Sequence, residues 1–118
     1  MTLGFIGTGE IASAMVTGLS LSAAQNSIRL SPRNLAIATD LANRFLDVSV
    51  APSNQDVLDS CETVVIAVRP PVVRGVLSEL RFRPDHHVIS VVPALSLQSV
   101  SQLVAPAIRV TRAVPLAA

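Results

Sequence analysis

One hundred and eighteen residues, half of them hydrophobic, suffice for one domain with a real core. The net charge of +1, with acids and bases scattered and neither Trp nor Tyr present, speaks against a nucleic-acid platform. No apolar run approaches the roughly 20 residues needed to span a bilayer, no basic-then-apolar leader opens the chain, and the lone Cys61 cannot form an intrachain disulfide, so a cytoplasmic location is expected.

Aromatic residues are only 3%, and a core of Ala, Val, Leu and Ile suits a buried parallel sheet under closely packed helices. The first strand reads as Leu3 to Ile6. A helix follows from Glu10, with Ile11, Met15 and Leu19 on one face. Ile28 to Ser31 is a second strand, and Ser31 with Pro32 suits the start of the next helix. That helix's buried stripe is Leu35, Ala38, Leu41, Ala42 and Phe45. Val48 to Val50 is a short third strand. Ser53 caps a short helix, with Asp56 as its capping-box partner.

The run Thr63 to Val68 is β-branched and continuously apolar, as expected of a central strand buried on both faces. Pro70-Pro71 opens a helix whose face is Val73, Val76, Leu77 and Leu80. Val88 to Val92 is a fifth strand, Ser96 to Val104 a helix, and Ile108 to Val114 a sixth strand. His86 and His87 are read as surface residues at the amino end of the fifth strand, and Cys61 as a small core or boundary residue. This alternation is the signature of a doubly wound α/β sheet, the Rossmann fold, in which ligands bind beyond the carboxyl ends of the strands.

The loops at those ends carry the chemistry. Gly7-Thr8-Gly9-Glu10-Ile11-Ala12 is a G-x-G-x-x-A dinucleotide fingerprint between a strand and a helix. Gly7 permits the turn, Gly9 lets backbone approach a pyrophosphate, and the helix N-terminus favours the anion. At the end of the second strand, an Asp or Glu would accept a bond from a free ribose 2′-hydroxyl. Ser31-Pro32-Arg33-Asn34 offers a hydroxyl and a guanidinium instead, which suit a 2′-phosphate. NADP(H) is therefore expected in preference to NAD(H). The loops Ala67-Val68-Arg69-Pro70 and Ser90-Val91-Val92-Pro93-Ala94 suit the flat face of a nicotinamide ring or simple packing. No metal-ligand spacing and no Ser/His/Asp grouping is present, and the catalytic acid is unidentified.

In order along the chain, Gly4-Phe5-Ile6-Gly7-Thr8-Gly9, Ser31-Pro32-Arg33-Asn34, Asn54, Ala67-Val68-Arg69-Pro70 and Arg112-Ala113-Val114-Pro115 resemble the N-terminal domain of pyrroline-5-carboxylate reductase. That family reduces a cyclic imine to L-proline with NAD(P)H, a step of proline biosynthesis. The resemblance implies cofactor contacts from Ile6, Gly7, Thr8, Gly9, Glu10, Ile11, Ser31, Asn54, Ala67, Val68, Arg69 and Pro70, with Arg33 close to the adenosine end. It implies that residues 1–118 are the dinucleotide-binding domain of a longer enzyme. In that family a helical domain forms the dimer and supplies most of the substrate site, so a homo-oligomer acting on a small cyclic imine is expected of the full-length enzyme. The 118 residues alone would bind cofactor and turn over little.

Three positions depart from the family pattern. Arg69 stands where Lys is usual, Val92-Pro93-Ala94 where Ala-Ala-Gly is usual, and Val114-Pro115-Leu116-Ala117-Ala118 where Met-Pro-Asn-Thr-Pro is usual. They leave open an NADP-dependent reductase of another imine or a carbonyl, such as a coenzyme F420 reductase or a 3-hydroxyacid dehydrogenase. A regulatory domain that binds NADP without chemistry is also open.

Overall fold

The alternating pattern is realised as a six-stranded, all-parallel sheet in the computed structural model, which describes residues 2–22 and 27–113. In chain order the elements are β1 (Thr2–Ile6), α1 (Glu10–Leu21), β2 (Ser27–Leu30), α2 (Leu35–Arg44), β3 (Val48–Val50) and α3 (Asn54–Ser60). They continue with β4 (Thr63–Ile66), a 3-10 turn (Pro70–Val72), α4 (Val73–Ser78), β5 (His87–Ser90), α5 (Leu97–Leu103) and β6 (Arg109–Arg112). The strand order is β3-β2-β1-β4-β5-β6. It reverses between β1 and β4, which makes their carboxyl ends the topological switch point.

Side-chain alternation sends each strand's apolar residues to two cores. Leu3, Phe5, Leu30 and Val65 pack with Ala12 and Val16 of α1 and with Ala38 and Leu41 of α2. Ile6, Val64, Ile66 and Val88 pack on the other face with Val57 and Leu58 of α3, Leu77 of α4 and Val100 of α5. The β4 residues Val64, Val65 and Ile66 are all buried, as a central strand requires. Gly4 allows α3 to sit down on β1, because a Cβ there would lie 2.5 Å from Val57 Cγ1 and 3.0 Å from Cys61 Sγ. Cys61 is buried as expected, and that burial pushes its thiol pKa up, against a smaller lowering by the Ser60 hydroxyl.

Several boundaries and faces differ from expectation. The fully buried residues of α1 are Ala12 and Val16, while Met15 and Leu19 only flank them and Ile11 is 39% exposed. The buried stripe is shifted by one position, with the small Ala12 facing the sheet where α1 leaves the glycine turn. Ser31 does not cap α2: the helix starts at Leu35 behind Asn34, whose backbone is left-handed at φ 60° with no side-chain cap. Leu35 consequently falls outside the buried stripe, at 58% exposed. The Ser53 cap holds, its hydroxyl accepting the Asp56 N–H at 3.1 Å. Strands β4 and β5 are shorter than their apolar runs, and residues 67–69 and 91–95 continue as loops. Of the expected sixth strand, Val114 lies outside the described residues.

His86 is a correction: it is fully buried, not a surface residue. Its Nδ1 accepts the Arg83 N–H at 2.8 Å, so Nε2 carries the proton and donates to the Leu58 carbonyl, also at 2.8 Å. The ring meets Phe82 edge-on at 5.9 Å between centroids. Arg83 donates to the same Leu58 carbonyl and to that of Cys61, covering the carboxyl end of α3. A buried polar tie of this kind is not visible in a His-His dipeptide. Neighbouring His87 is only half-buried and bonds the Thr111 hydroxyl. Replacing His86 by Ala leaves a cavity and an unpaired N–H, so urea unfolding should show a loss of about 3 kcal/mol. His87→Ala should cost less than about 1 kcal/mol.

Candidate cofactor-binding site

Each strand end at the switch point contributes one loop. Gly7 follows β1 with φ +90°, a conformation that favours glycine, and a Cβ there would lie 2.7 Å from Val68 Cγ1 and 2.8 Å from the Ala67 carbonyl oxygen. Its N–H donates to Ser31 Oγ at 3.2 Å, and the Thr8 hydroxyl donates to the Ser31 carbonyl, also at 3.2 Å. The β4 loop joins them through the Ala67 N–H, which donates to the Ile6 carbonyl at 2.8 Å. The three loops are therefore tied to one another by backbone and hydroxyl bonds.

Gly9 is the N-cap of α1 and has nothing within 4 Å of where a Cβ would sit. That open space lies beside the first N–H groups of a 12-residue helix, which face outward without intrahelical partners. Open space beside unpaired helix amides is the kind of site that suits an anion, and a branched side chain at Gly9 would fill it.

A cleft runs from this point in both directions. One lobe, about 350 Å³, is bounded by Gly7, Thr8 and Gly9, by Arg33 and Asn34, and by Ala67 to Arg69 with Val72. The other, about 410 Å³, continues past Glu10, Ile11 and Ile37 to Pro70, Val91 and Pro93. Gly9, Asn34, Ala67, Val68 and Arg69 line both, so the two lobes form one groove along the carboxyl edge of the sheet. Its first lobe is cationic: Arg33 and Arg69 are exposed, and neither enters a salt bridge among the described residues. Its second lobe has an apolar wall of Ile11, Ile37, Pro70, Val91 and Pro93, with Arg69 and Asn34 shared from the first lobe and Glu10 the one carboxylate on the lining.

Ten of the residues expected at a cofactor are gathered on this groove: Gly7, Thr8, Gly9, Glu10, Ile11, Arg33, Ala67, Val68, Arg69 and Pro70. Three are not. Ile6 is buried in the α3–α5 core. Ser31 has no exposed surface, because its hydroxyl is turned onto the Gly7 N–H; in this geometry it supports the glycine turn and leaves the anion to Arg33. Asn54 opens α3 away from both lobes, half-buried, with its Oδ1 enclosed and unpartnered. The groove adds Ile37 and Val72, which the sequence pattern did not single out because they read as ordinary helix residues. Asn34 also joins it, through a left-handed turn that its residue type alone permits but does not dictate.

A parallel sheet with a glycine turn and a helix N-terminus at its switch point defines a dinucleotide-binding oxidoreductase fold. The profile of the family described as "NADP oxidoreductase coenzyme F420-dependent" matches residues 2–94, and the chain belongs to that family. Its resemblance to pyrroline-5-carboxylate reductases extends across nearly all its length. It is 31% identical over 116 residues to pyrroline-5-carboxylate reductase 3 of Rattus norvegicus, covering 96% of this chain and 42% of the relative. Among solved structures, 1-pyrroline-5-carboxylate reductase from Streptococcus pyogenes superimposes with a TM-score of 0.80 at 29% identity, over 95% of this chain and 41% of that one. Prephenate dehydrogenase from A. aeolicus, solved with NAD+, superimposes with a TM-score of 0.77 at 14% identity, covering 94% and 40%, and shares the fold. The chain thus spans about two-fifths of the length of the curated relatives it matches.

The two glycines of the turn separate stability from binding space. Gly7→Ala should lower stability by at least about 2 kcal/mol, since it meets both a left-handed backbone and a clash with the β4 loop. Gly9→Ala should leave the unfolding free energy within about 1 kcal/mol of the parent. Urea denaturation of the two variants side by side checks this.

Proposed function

We propose that this chain is the NADP(H)-binding domain of a reductase of the pyrroline-5-carboxylate type, an oxidoreductase that acts on a C–N bond. The observation that carries the reading is the continuous groove itself. It starts at the unpaired Arg33 guanidinium, passes a helix N-terminus with open space beside it, and ends at an apolar wall of Ile11, Val91 and Pro93. Those three environments follow the order of a 2′-phosphorylated adenosine, a pyrophosphate and a nicotinamide. Bound there, the cofactor would supply a hydride for reduction of a cyclic imine carbon to an amine.

The chain's own residues have separable tasks in this reading. Arg33 binds the 2′-phosphate with a planar fork, Ser31 holds the turn that presents the backbone, and the amides of Gly9 to Ile11 bind the pyrophosphate. Ile11, Val91 and Pro93 exclude water from one side of the nicotinamide lobe. Asn54, whose side-chain amide makes no hydrogen bond within the described residues, would reach the ribose from the start of α3. No residue of the groove is assigned the proton transfer. Sequence beyond the matched two-fifths of the relatives is where we place the substrate contacts and the subunit interface, in a homo-oligomer acting in the cytoplasm. The 118-residue chain by itself would then bind cofactor and reduce pyrroline-5-carboxylate slowly or not at all.

Calorimetric titration of the chain should show tighter binding of NADPH than of NADH. A charge-assisted contact of this kind is worth about tenfold or more in affinity, so Arg33→Ala should narrow the preference by about that factor. Ser31→Ala should instead weaken both cofactors together. Equal affinities for NADPH and NADH in the parent chain would overturn the assignment. Gly9→Val should remove binding of both cofactors while leaving the circular dichroism spectrum unchanged.

A further inference from the structure

The loop after β5 carries a strained residue where the family pattern usually has glycine. Ala94 sits at φ +61°, in the left-handed region where a Cβ crowds the following carbonyl. Such a residue persists only where its surroundings over-determine it. On one side the loop is fixed by the Val91 N–H on the Ile66 carbonyl and by the Val92 N–H on Ser90 Oγ. On the other side Leu95 is buried in the α3–α5 core, and Arg112 Nε, at the end of β6, donates to its carbonyl at 2.7 Å. Between these anchors stands Pro93, which lines the apolar lobe of the groove and has no N–H with which to bond the sheet.

We infer that Arg112 is a positioning residue for the nicotinamide half of the cofactor site: through the Leu95 carbonyl it holds Ala94 in its strained turn and so keeps Pro93 at the lip of the groove. Arg112 touches neither lobe, so it has no direct part in binding. Without its bond Ala94 relaxes toward negative φ and the lip withdraws. The inference rests on the NADP(H) reading of the groove. It also explains how alanine is tolerated at the third position of Val92-Pro93-Ala94: a side-chain bond from β6 supplies the restraint that makes the turn hold.

The test uses two probes on the same chain, NADPH and ADP-ribose 2′-phosphate, which lacks the nicotinamide. Arg112→Met should weaken NADPH by up to about tenfold, the limit set by losing the restraint of one charge-assisted bond within the protein, and should leave ADP-ribose 2′-phosphate within about twofold. In the Ala94→Gly background the turn is free of strain, so the same Arg112→Met change should cost NADPH much less, a non-additivity that general destabilisation does not produce. Arg112→Lys keeps a charged donor and should recover part of the NADPH affinity. If Arg112→Met melts out at the assay temperature, Arg112→Lys carries the comparison, and a loss confined to NADPH supports the inference. Equal loss for both probes, or no loss for NADPH, overturns it. Failure of the parent chain to bind either probe would instead remove the cofactor reading itself, and the role of Arg112 with it.

Discussion

The site depends on one hydrogen bond, from the Gly7 N–H to the hydroxyl of Ser31. It joins the ends of β1 and β2 at the height where the chain must turn, and the Thr8 hydroxyl doubles it by donating to the Ser31 carbonyl. Gly7 is held at φ +90° by these bonds on one side and by the Ala67–Val68 backbone on the other. Given that turn, α1 begins at Glu10 with its first amides facing the open space at Gly9, so the cradle proposed for the pyrophosphate is formed by the chain itself. A pre-formed cradle matters because binding then costs little ordering of the protein.

The same bond explains where the reading of the residues and the structure part. Ser31 has no exposed surface, and its hydroxyl oxygen accepts the Gly7 N–H. In the proposed reading the charge for a 2′-phosphate would come from Arg33, two residues further along an irregular turn through Asn34. In chemical terms a serine before a proline is equally a helix cap, a phosphate ligand and a loop anchor. Only the position of the Gly7 N–H decides among them, and that is a tertiary fact.

Much of the fold was legible because its signals are local. The β-branched run from Thr63, the Ser53-Asp56 cap and the glycine fingerprint each specify their own backbone. What was not legible depends on partners distant in sequence. The burial of His86 rests on the Leu58 carbonyl, 28 residues away, and on the Arg83 N–H, which satisfy its two ring nitrogens. The face of α1 is set by how close the turn brings it to the sheet, which moves the buried positions to Ala12 and Val16. Ile37 and Val72 reach the groove through the packing of their helical segments, and Pro93 is held at its lip by a side chain from β6. Along the groove, the anion cradle was read from its glycines, while its apolar walls were read only in part.

The central claim is that the amides at the start of α1 form a rigid anion cradle within a groove that takes a phosphorylated dinucleotide. Amide-resolved NMR of the chain during titration with NADPH tests it most directly. The account predicts the largest shifts at Gly9, Glu10 and Ile11, smaller ones at Ala67 to Arg69 and Val91, and none at the amino ends of the strands around His86. Shifts clustered away from the glycine turn, or an unchanged spectrum at saturating NADPH, would contradict it.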